Sequence, residues 1–268
     1  ELSLPKAWTS DRDRRRAAKI PDERLFATKG ELARDIVCRC VAAGLPAAWV
    51  TADEAHGQDW NFRRLPEQPG LGCVVAVPKS QQIKSLAGFW RIDQLVDEAP
   101  ADAWQRLSCG DGAKGPRVHD WAAARLPTNI VFDPDPPTHH RWVLARRSLS
   151  DPSEVAYCLA HAPVGVGLPE LARIAGSRWA IEECFQAAKN ECGLDEYEVR
   201  RYVGWYRHIT LALLAHAFLT ALAAQASHRE TAETNRPAPS LSPWRRSGGS
   251  WTLSCPTPAP NSTATGMH

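Results

Sequence analysis

The stretch SRWAIEECFQAAKNECGLDEYEVRRY, residues 177–202, places charged side chains at a regular spacing. On a helix that turns 100° per residue, Arg178, Glu182, Phe185 and Lys189 lie in one stripe about 60° wide. Glu182 lies at the border of an apolar arc, whereas Glu183 is rotated about 100° away. The arc consists of Ile181, Cys184, Ala188 and Cys192. Of the two glutamates, Glu182 is therefore the one that can face a site.

A second carboxylate, Asp53, ends the apolar segment AAWVTAD at residues 47–53. This segment predicts a buried strand, and the carboxyl end of a strand is where α/β sheets usually carry their sites. Two structural alternatives stay open. Asp53 can instead be the N-cap of the following helix. Arg178 and Glu182 can form an ordinary i,i+4 ion pair worth roughly 0.2–0.5 kcal/mol, with Lys189 merely solvated.

The surrounding pattern predicts an α/β fold. A helix is expected at 31–43, ending at Gly44, and a second at 58–68. Strands are expected at 47–53 and 71–77, and a β-hairpin at 141–149 and 154–161. A mostly helical segment follows over 168–226. The first thirty residues, including the run DRDRRR at 11–16, look charged and loop-like.

Composition excludes little. The chain has 268 residues, 44% of them hydrophobic, and a net charge of +2, which neither indicates nor excludes nucleic-acid binding. Its eight cysteines form no CxxC pair and no signal peptide is evident, so we expect a cytoplasmic location. The apolar run at 209–224 is predicted to be a buried core helix rather than a membrane anchor, and no membrane partner is expected.

Two further segments have simple interpretations. The sequence GDGAKG at 110–115 lacks the spacing and the final Lys-Ser/Thr of a phosphate-binding loop, so a plain turn is favoured. Residues 227–268 are rich in Pro, Ser, Thr and Gly, which predicts a disordered tail or the product of a frameshift.

The order R-x3-E-x6-K, formed by Arg178, Glu182 and Lys189, resembles the core of the Y-x2-R-x3-E-x6-K signature of bacterial insertion-sequence DDE transposases. The text RWAIEECFQAAKNECGLDEYEVRRYVGWYRHITLALLAHAFL is similar to that family over some forty residues. WVTADEAHGQDWNFRRL resembles the second-aspartate segment of the family, and WQRLSCGDGAKGPRVHDWAAARL resembles part of its insertion. The resemblance covers roughly residues 2–225.

The resemblance implies an RNase H-like mixed sheet with flanking helices and a β-rich insertion. Residues 1–78 would be the central part of the catalytic domain, 79–165 the insertion with its hairpin, 166–226 the helical C-terminal part, and 227–268 the tail. It also implies that Asp53 and Glu182 are catalytic metal ligands for Mg²⁺ or Mn²⁺, in a site of two ions about 4 Å apart.

DNA is the partner that the resemblance implies, at insertion-sequence ends and at the target, with a nucleoid-associated location. Arg178 and Lys189 would hold phosphates beside the metals. The cluster Trp205, Tyr206, Arg207 and His208 is a further candidate DNA surface, although core anchoring by the aromatic rings is an equal alternative. Self-association stays open.

Two departures from the family pattern bear on activity. The tyrosine expected three residues before Arg178 is Ala175. The first aspartate of the family lies upstream of the segment resembling LSLPKAW, so the resemblance implies a transposase truncated at the N-terminus and inactive alone. A non-catalytic DNA-binding remnant, or an inhibitor of the intact enzyme, is the alternative function.

Overall fold

The computed structural model describes residues 2–67, 70–85, 88–112, 115–127, 137–198, 200–234, 244–247 and 250–253. The helices are α1 (Lys6–Ser10), α2 (Arg12–Ala18), α3 (Lys29–Ala42), α4 (Glu54–Gly57), α5 (Trp60–Arg64), α6 (Ile92–Asp97), α7 (Leu168–Ser177), α8 (Trp179–Cys192) and α9 (Tyr202–Thr234). The strands are β1 (Trp49–Ala52), β2 (Gly72–Val77), β3 (Gln82–Ser85), β4 (Gly88–Arg91), β5 (Gln105–Gly112), β6 (Gly115–Arg125), β7 (His139–Arg147), β8 (Val155–Pro163), β9 (Trp244–Ser247) and β10 (Ser250–Leu253).

Six strands form one mixed sheet in the order β1-β2-β8-β7-β6-β5. β1 and β2 are parallel, with Trp49 opposite Gly72, and every other pair in this sheet is antiparallel. β1 and β2 therefore end at the same edge, where Asp53 follows. This mixed α/β architecture is compatible with an RNase H-like fold.

Each face of the sheet has its own core. On one face, Leu171 and Ile174 of α7 pack against Val74, Leu144 and other sheet residues. On the other face, Ile92 of α6 packs with Val77 and Val143, and with Ile83 of β3. The sheet is thus covered on both sides, and α7 leads directly into the segment that carries Arg178 and Glu182.

The N-terminal region is helical rather than loop-like, which corrects the sequence-based expectation. Asp11 caps α2 by accepting a hydrogen bond from the Arg14 backbone. The Arg15 guanidinium donates to the carbonyls of Thr9, Pro21, Asp22 and Arg24. The run DRDRRR therefore mixes solvated side chains with one arginine that organises the turn after α2.

Several predicted elements are confirmed. α3 begins after a capping box of Thr28 and Glu31, and Gly44 follows its end with φ 66°. The strands predicted at 47–53 and 71–77 are β1 and β2, and the predicted hairpin is β7–β8. The helix expected at 58–68 is shorter, because α5 ends at Arg64. β5 and β6 form a hairpin across the GDGAKG segment, whose central residues 113–114 lie outside the described residues.

The chain divides into two compact units, Glu1–Leu213 and Leu214–His268, and the second begins within α9. The domain boundaries expected from the resemblance stay predictions. In the predicted tail, α9 continues to Thr234 and β9 pairs with β10, while 235–243, 248–249 and 254–268 lie outside the described residues.

The prediction of a buried core helix at 209–224 is wrong for the described residues. Tyr202–Ala226 of α9 is long and apolar enough to cross a membrane by length and composition, and only 6% of its most apolar window is buried. One helix of this kind is weak evidence for a membrane span. Leu211, Leu214 and Phe218 are all more than half exposed, whereas Ala212 is buried.

Candidate active site

Asp53 stands at the point where β1 ends and α4 begins. Its backbone is extended, and its side chain caps α4 by accepting a hydrogen bond from the His56 backbone through Oδ1 at 3.2 Å. The same oxygen lies 2.7 Å from Nδ1 of the His56 ring. The N-cap alternative considered for this residue is therefore realised, and the carboxylate has a fixed orientation.

A glycine sets the position of this cap. A Cβ on Gly57, at the end of α4, would overlap the carbonyl oxygen of Ala76 in β2. Only a residue without a side chain allows α4 to approach the sheet so closely. The His56 ring also packs on the Phe62 ring, with centroids 5.6 Å apart. Asp53 is thus tied to the sheet through its own short helix.

The electrostatics of Asp53 favour its charged form. Burial raises its pKa, but the hydrogen bonds from the His56 ring and backbone, together with the charges of His56 and Arg178, outweigh that effect. The pKa of Asp53 is therefore lowered from its usual range. Half of the side chain is exposed, so it remains accessible to a ligand.

Arg178 and Glu182 lie at the start of α8. A Cβ on Gly176 would overlap the carbonyl oxygen of Cys109 in β5, so the end of α7 is held against the sheet just before Arg178. Nη1 of Arg178 donates to Oε1 of Glu182 at 2.9 Å, with 29% and 47% of the two side chains exposed. The i,i+4 ion pair considered above is therefore present.

Arg178 also connects α8 with the sheet. Its charge contributes to the lowered pKa of Asp53. Burial raises the pKa of the Cys158 thiol in β8 to about 11, and the charges of Arg146 and Arg178 oppose that rise. One guanidinium therefore pairs with Glu182 and acts electrostatically on Asp53, which places both predicted carboxylates in its surroundings.

Each carboxylate keeps one oxygen open within the part of the chain that the structure describes. In Asp53 the bonds fall on Oδ1, and in Glu182 the bond falls on Oε1. Carboxylate oxygens are the ligands that Mg²⁺ and Mn²⁺ prefer. Asp53 and Glu182 thus each offer an oxygen of the kind that such a cation binds, while the described residues contain no group of three or more candidate metal-binding side chains.

Lys189, the other side chain predicted to contact a phosphate, lies at the opposite end of α8 from Glu182. Lys189 is exposed in the last turn of the helix, whereas Glu182 lies in the first turn. Both positions suit the helix dipole, which favours acidic groups at the start and basic groups at the end. The predicted apolar arc is only partly buried: Ala188 is fully buried, whereas Ile181 is 49% exposed.

The cluster at the start of α9 has mostly structural contacts. Nε2 of His208 lies 2.9 Å from the carbonyl oxygen of Gly193, which ends α8 with φ 61°. The Tyr206 hydroxyl accepts a hydrogen bond from the Leu2 backbone at 3.3 Å, and Trp205 meets Tyr206 edge-on. Arg207 is exposed. The anchoring alternative therefore describes His208 and Tyr206 well.

His56 is the site residue that sequence reasoning missed. It lies three residues after Asp53, which is the spacing at which a cap residue meets the backbone of the first helical turn. The signal was the D-x-x-H spacing directly after a predicted strand. The short α4 hid it, because four residues give no helical periodicity.

Comparison with known proteins agrees with this class of fold and site. Residues 1–116 match the family model described as DDE superfamily endonuclease, and the matched range includes Asp53. The match supports a DDE-type endonuclease or transposase family and a nuclease-like or transposase-like function on DNA. Endonucleases of this superfamily generally use divalent metals. No curated protein matches the chain.

Proposed function

We propose that this chain carries the second and third carboxylates of an insertion-sequence transposase of the Y-R-E-K branch, a protein that cuts and joins DNA strands at transposon ends. The observation that carries the proposal is geometric: Asp53 directly follows β1, and the Arg178–Glu182 pair begins the helix after α7, which packs on the same sheet. The family match across the Asp53 segment supports the same assignment. A cytoplasmic, nucleoid-associated location and self-association belong to this proposal.

In the proposed site, Asp53 and Glu182 would be the residues that hold the divalent cation. When bound, such a cation activates the attacking oxygen of a water or a DNA 3′-hydroxyl and stabilises the leaving oxygen. His56 keeps the Asp53 carboxylate oriented by occupying Oδ1. Asp53 is charged at neutral pH, as a ligand must be, and its lowered pKa extends the charged form further into acid.

Arg178 has a second role in the proposal. Its pair with Glu182 is partly exposed and therefore weak, so the guanidinium can exchange Glu182 for a DNA phosphate at little cost. Planar guanidinium groups bind phosphate oxygens in pairs, which suits strand positioning. Lys189, about three turns further along α8, would contact another phosphate.

A non-catalytic DNA-binding protein is the second candidate. It is favoured by the fact that both carboxylates already have ordinary structural tasks, since Asp53 caps α4 and Glu182 pairs with Arg178. In that case Arg178 and Lys189 would bind DNA, and the two acids would serve the fold alone.

Mn²⁺ binding separates the two candidates. Glu182→Gln should weaken Mn²⁺ binding, measured by calorimetry or electron paramagnetic resonance on the purified chain, by about tenfold or more. Glu183→Gln is the matched control, because the neighbouring glutamate is equally acidic and exposed. Equal Mn²⁺ affinities for the two variants would favour the non-catalytic candidate.

DNA binding tests the cations. Arg178→Ala and Lys189→Ala should each weaken duplex binding across unrelated sequences and reduce the slope of log K against log salt by about one. Arg173→Ala is the control, because Arg173 forms a similar exposed ion pair with Glu170 on the preceding helix. A salt slope that changes as much in the control as in the test variants would contradict the assignment.

A further inference from the structure

A cavity lies between the N-terminal segment and the start of α9, and neither Asp53 nor Glu182 lines it. Its volume is about 320 Å³. Four aromatic side chains line it, Trp8, Tyr197, Tyr202 and Trp205, and two arginines, Arg200 and Arg201, complete the charged part of its wall. All of these residues belong to the first compact unit.

The floor of this cleft is a small hydrophobic core. Leu4, Ala18 and Ile20 are buried there, and Trp8 and Tyr202 pack against them. The four lining rings are only half-buried, so each keeps an accessible portion. The cleft thus combines an anchored base with aromatic surface that faces solvent.

The aromatic rings that line the cavity are held in place by contacts with adjacent side chains and backbone groups. Tyr202 and Trp205 both pack against Tyr206, with ring centroids 4.8 Å and 5.0 Å apart. The Tyr197 hydroxyl donates to the Arg201 carbonyl at 3.1 Å, which fixes that ring beside the two arginines. Rings fixed in this way lose little conformational entropy when a flat ligand stacks on them.

The charged side chains at the edge of the cleft are mainly positive. Arg200 and Arg201 are exposed, and the Arg14 guanidinium lies 4.6 Å from the centre of the Trp8 ring. Glu198 is the acidic side chain in the wall. Rings that accept stacking beside exposed guanidinium groups are the combination that binds single-stranded nucleic acids, because each nucleotide offers one flat base and one phosphate.

We propose that this cleft binds an unpaired nucleotide of single-stranded DNA, with the base stacked on Trp205 and Trp8 and the phosphate held by Arg200 and Arg201. The proposal rests on the proposed function, because strand cleavage creates unpaired DNA ends near the protein. In this cleft a separated strand would be bound through its base as well as its phosphate, whereas Arg178 and Lys189 would contact only the phosphates of the duplex.

The test compares two oligonucleotides of equal length and charge, a labelled oligodeoxythymidylate and the same strand with abasic positions. Fluorescence anisotropy with the full chain should show roughly tenfold weaker binding of the abasic strand, since stacking is lost while the phosphates remain. Trp205→Leu should weaken binding of the normal strand by about the same factor and leave the abasic strand unaffected. Trp205→Phe should retain most of the affinity, because phenylalanine still stacks.

Trp60→Leu is the matched control, since Trp60 is an exposed tryptophan outside this cleft. Urea unfolding of each variant identifies loss of fold, and the comparison of normal and abasic strands with the wild-type chain decides the outcome where Trp205→Leu unfolds. Equal affinity of the wild-type chain for normal and abasic strands would overturn the proposal. Duplex affinity and its dependence on Arg178 report on the proposed function separately, so retained duplex binding with no preference for bases would reject this cleft alone.

Discussion

At the scale of single residues, Asp53 has a structural task and a proposed chemical one, and two substitutions separate them. Asn caps helices as well as Asp does, but it has no negative charge. Asp53→Asn should therefore lower the free energy of unfolding only slightly, through loss of the charge, whereas Asp53→Ala should lower it by about 1 kcal/mol. Both should weaken Mn²⁺ binding alike. Urea unfolding and Mn²⁺ titration make the comparison.

The charge of Asp53 also gives a pH dependence with a defined sign. Its pKa is lowered in the folded chain, so the unfolded chain binds a proton more readily. The stabilisation from the charge is present above the unfolded pKa, about 3.9, and is lost as the pH falls through the folded value. The stability difference between wild type and Asp53→Asn should shrink below about pH 4 in urea titrations. A difference that grows in acid would contradict this account.

The sequence indicated the candidate residues better than their partners. Helical spacing was enough to anticipate the pair of Glu182 with Arg178, because i,i+4 neighbours meet on any helix, while the choice of Glu182 over Glu183 as the site residue stays a prediction. It did not show that Arg178 acts on Asp53, since that relation depends on how α7 and α8 approach the sheet. The position of two helices relative to a sheet depends on contacts between distant parts of the chain, so local residue spacing does not reveal it.

At the scale of elements, two glycines control how closely the helices approach the sheet. Gly57→Ala and Gly176→Ala should each lower the free energy of unfolding by about 2 kcal/mol or more, because the added methyl group meets backbone atoms that cannot move aside. Gly167→Ala is the control, as its extended backbone and open surroundings accept a side chain. Urea unfolding should show little change in this control, and a similar loss there would remove the steric explanation.

The exposed apolar surface of α9 gives a second prediction at this scale. Leu211→Gln should increase solubility without lowering the free energy of unfolding, because Leu211 is 58% exposed. Ala212→Gln is the neighbouring control and should destabilise the chain, since Ala212 packs in a buried cluster with Ala188 and Leu194. Light scattering and urea unfolding measure the two effects. Destabilisation by both substitutions would mean that Leu211 is packed in solution.

The α9 segment also shows where sequence patterns reach their limit. An apolar run predicts that the side chains avoid water, and it was therefore assigned to the core. Burial requires other elements to cover the helix, and in the described residues few do so. The short α2 was missed for the opposite reason, because its charged sequence forms a helix through an Asp11 cap and the Arg15 contacts rather than through an apolar face.

At the scale of the whole molecule, β1 is an edge strand of the six-stranded sheet among the described residues, and the candidate site lies next to it. β1 is the first strand in the order of the six-stranded sheet, and Asp53 follows it directly. Backbone groups along the outer side of such an edge can pair with a further strand. A carboxylate on that strand would lie beside the C-terminal end of β1, close to Asp53.

Under the proposed function, a strand added at this edge should supply a further carboxylate beside Asp53. Asp53 and Glu182 alone would hold one divalent cation, whereas the two-metal route needs a bridging ligand that brings both ions to one phosphate. We expect a chain fused to a strand carrying an aspartate, designed to pair with β1, to nick supercoiled DNA with Mg²⁺ or Mn²⁺. Asp53→Asn or Glu182→Gln should then reduce nicking on the order of a thousandfold, because the metals supply several kcal/mol of transition-state stabilisation. Glu183→Gln should leave the rate unchanged, and nicking that survives Glu182→Gln would show that the chemistry lies elsewhere.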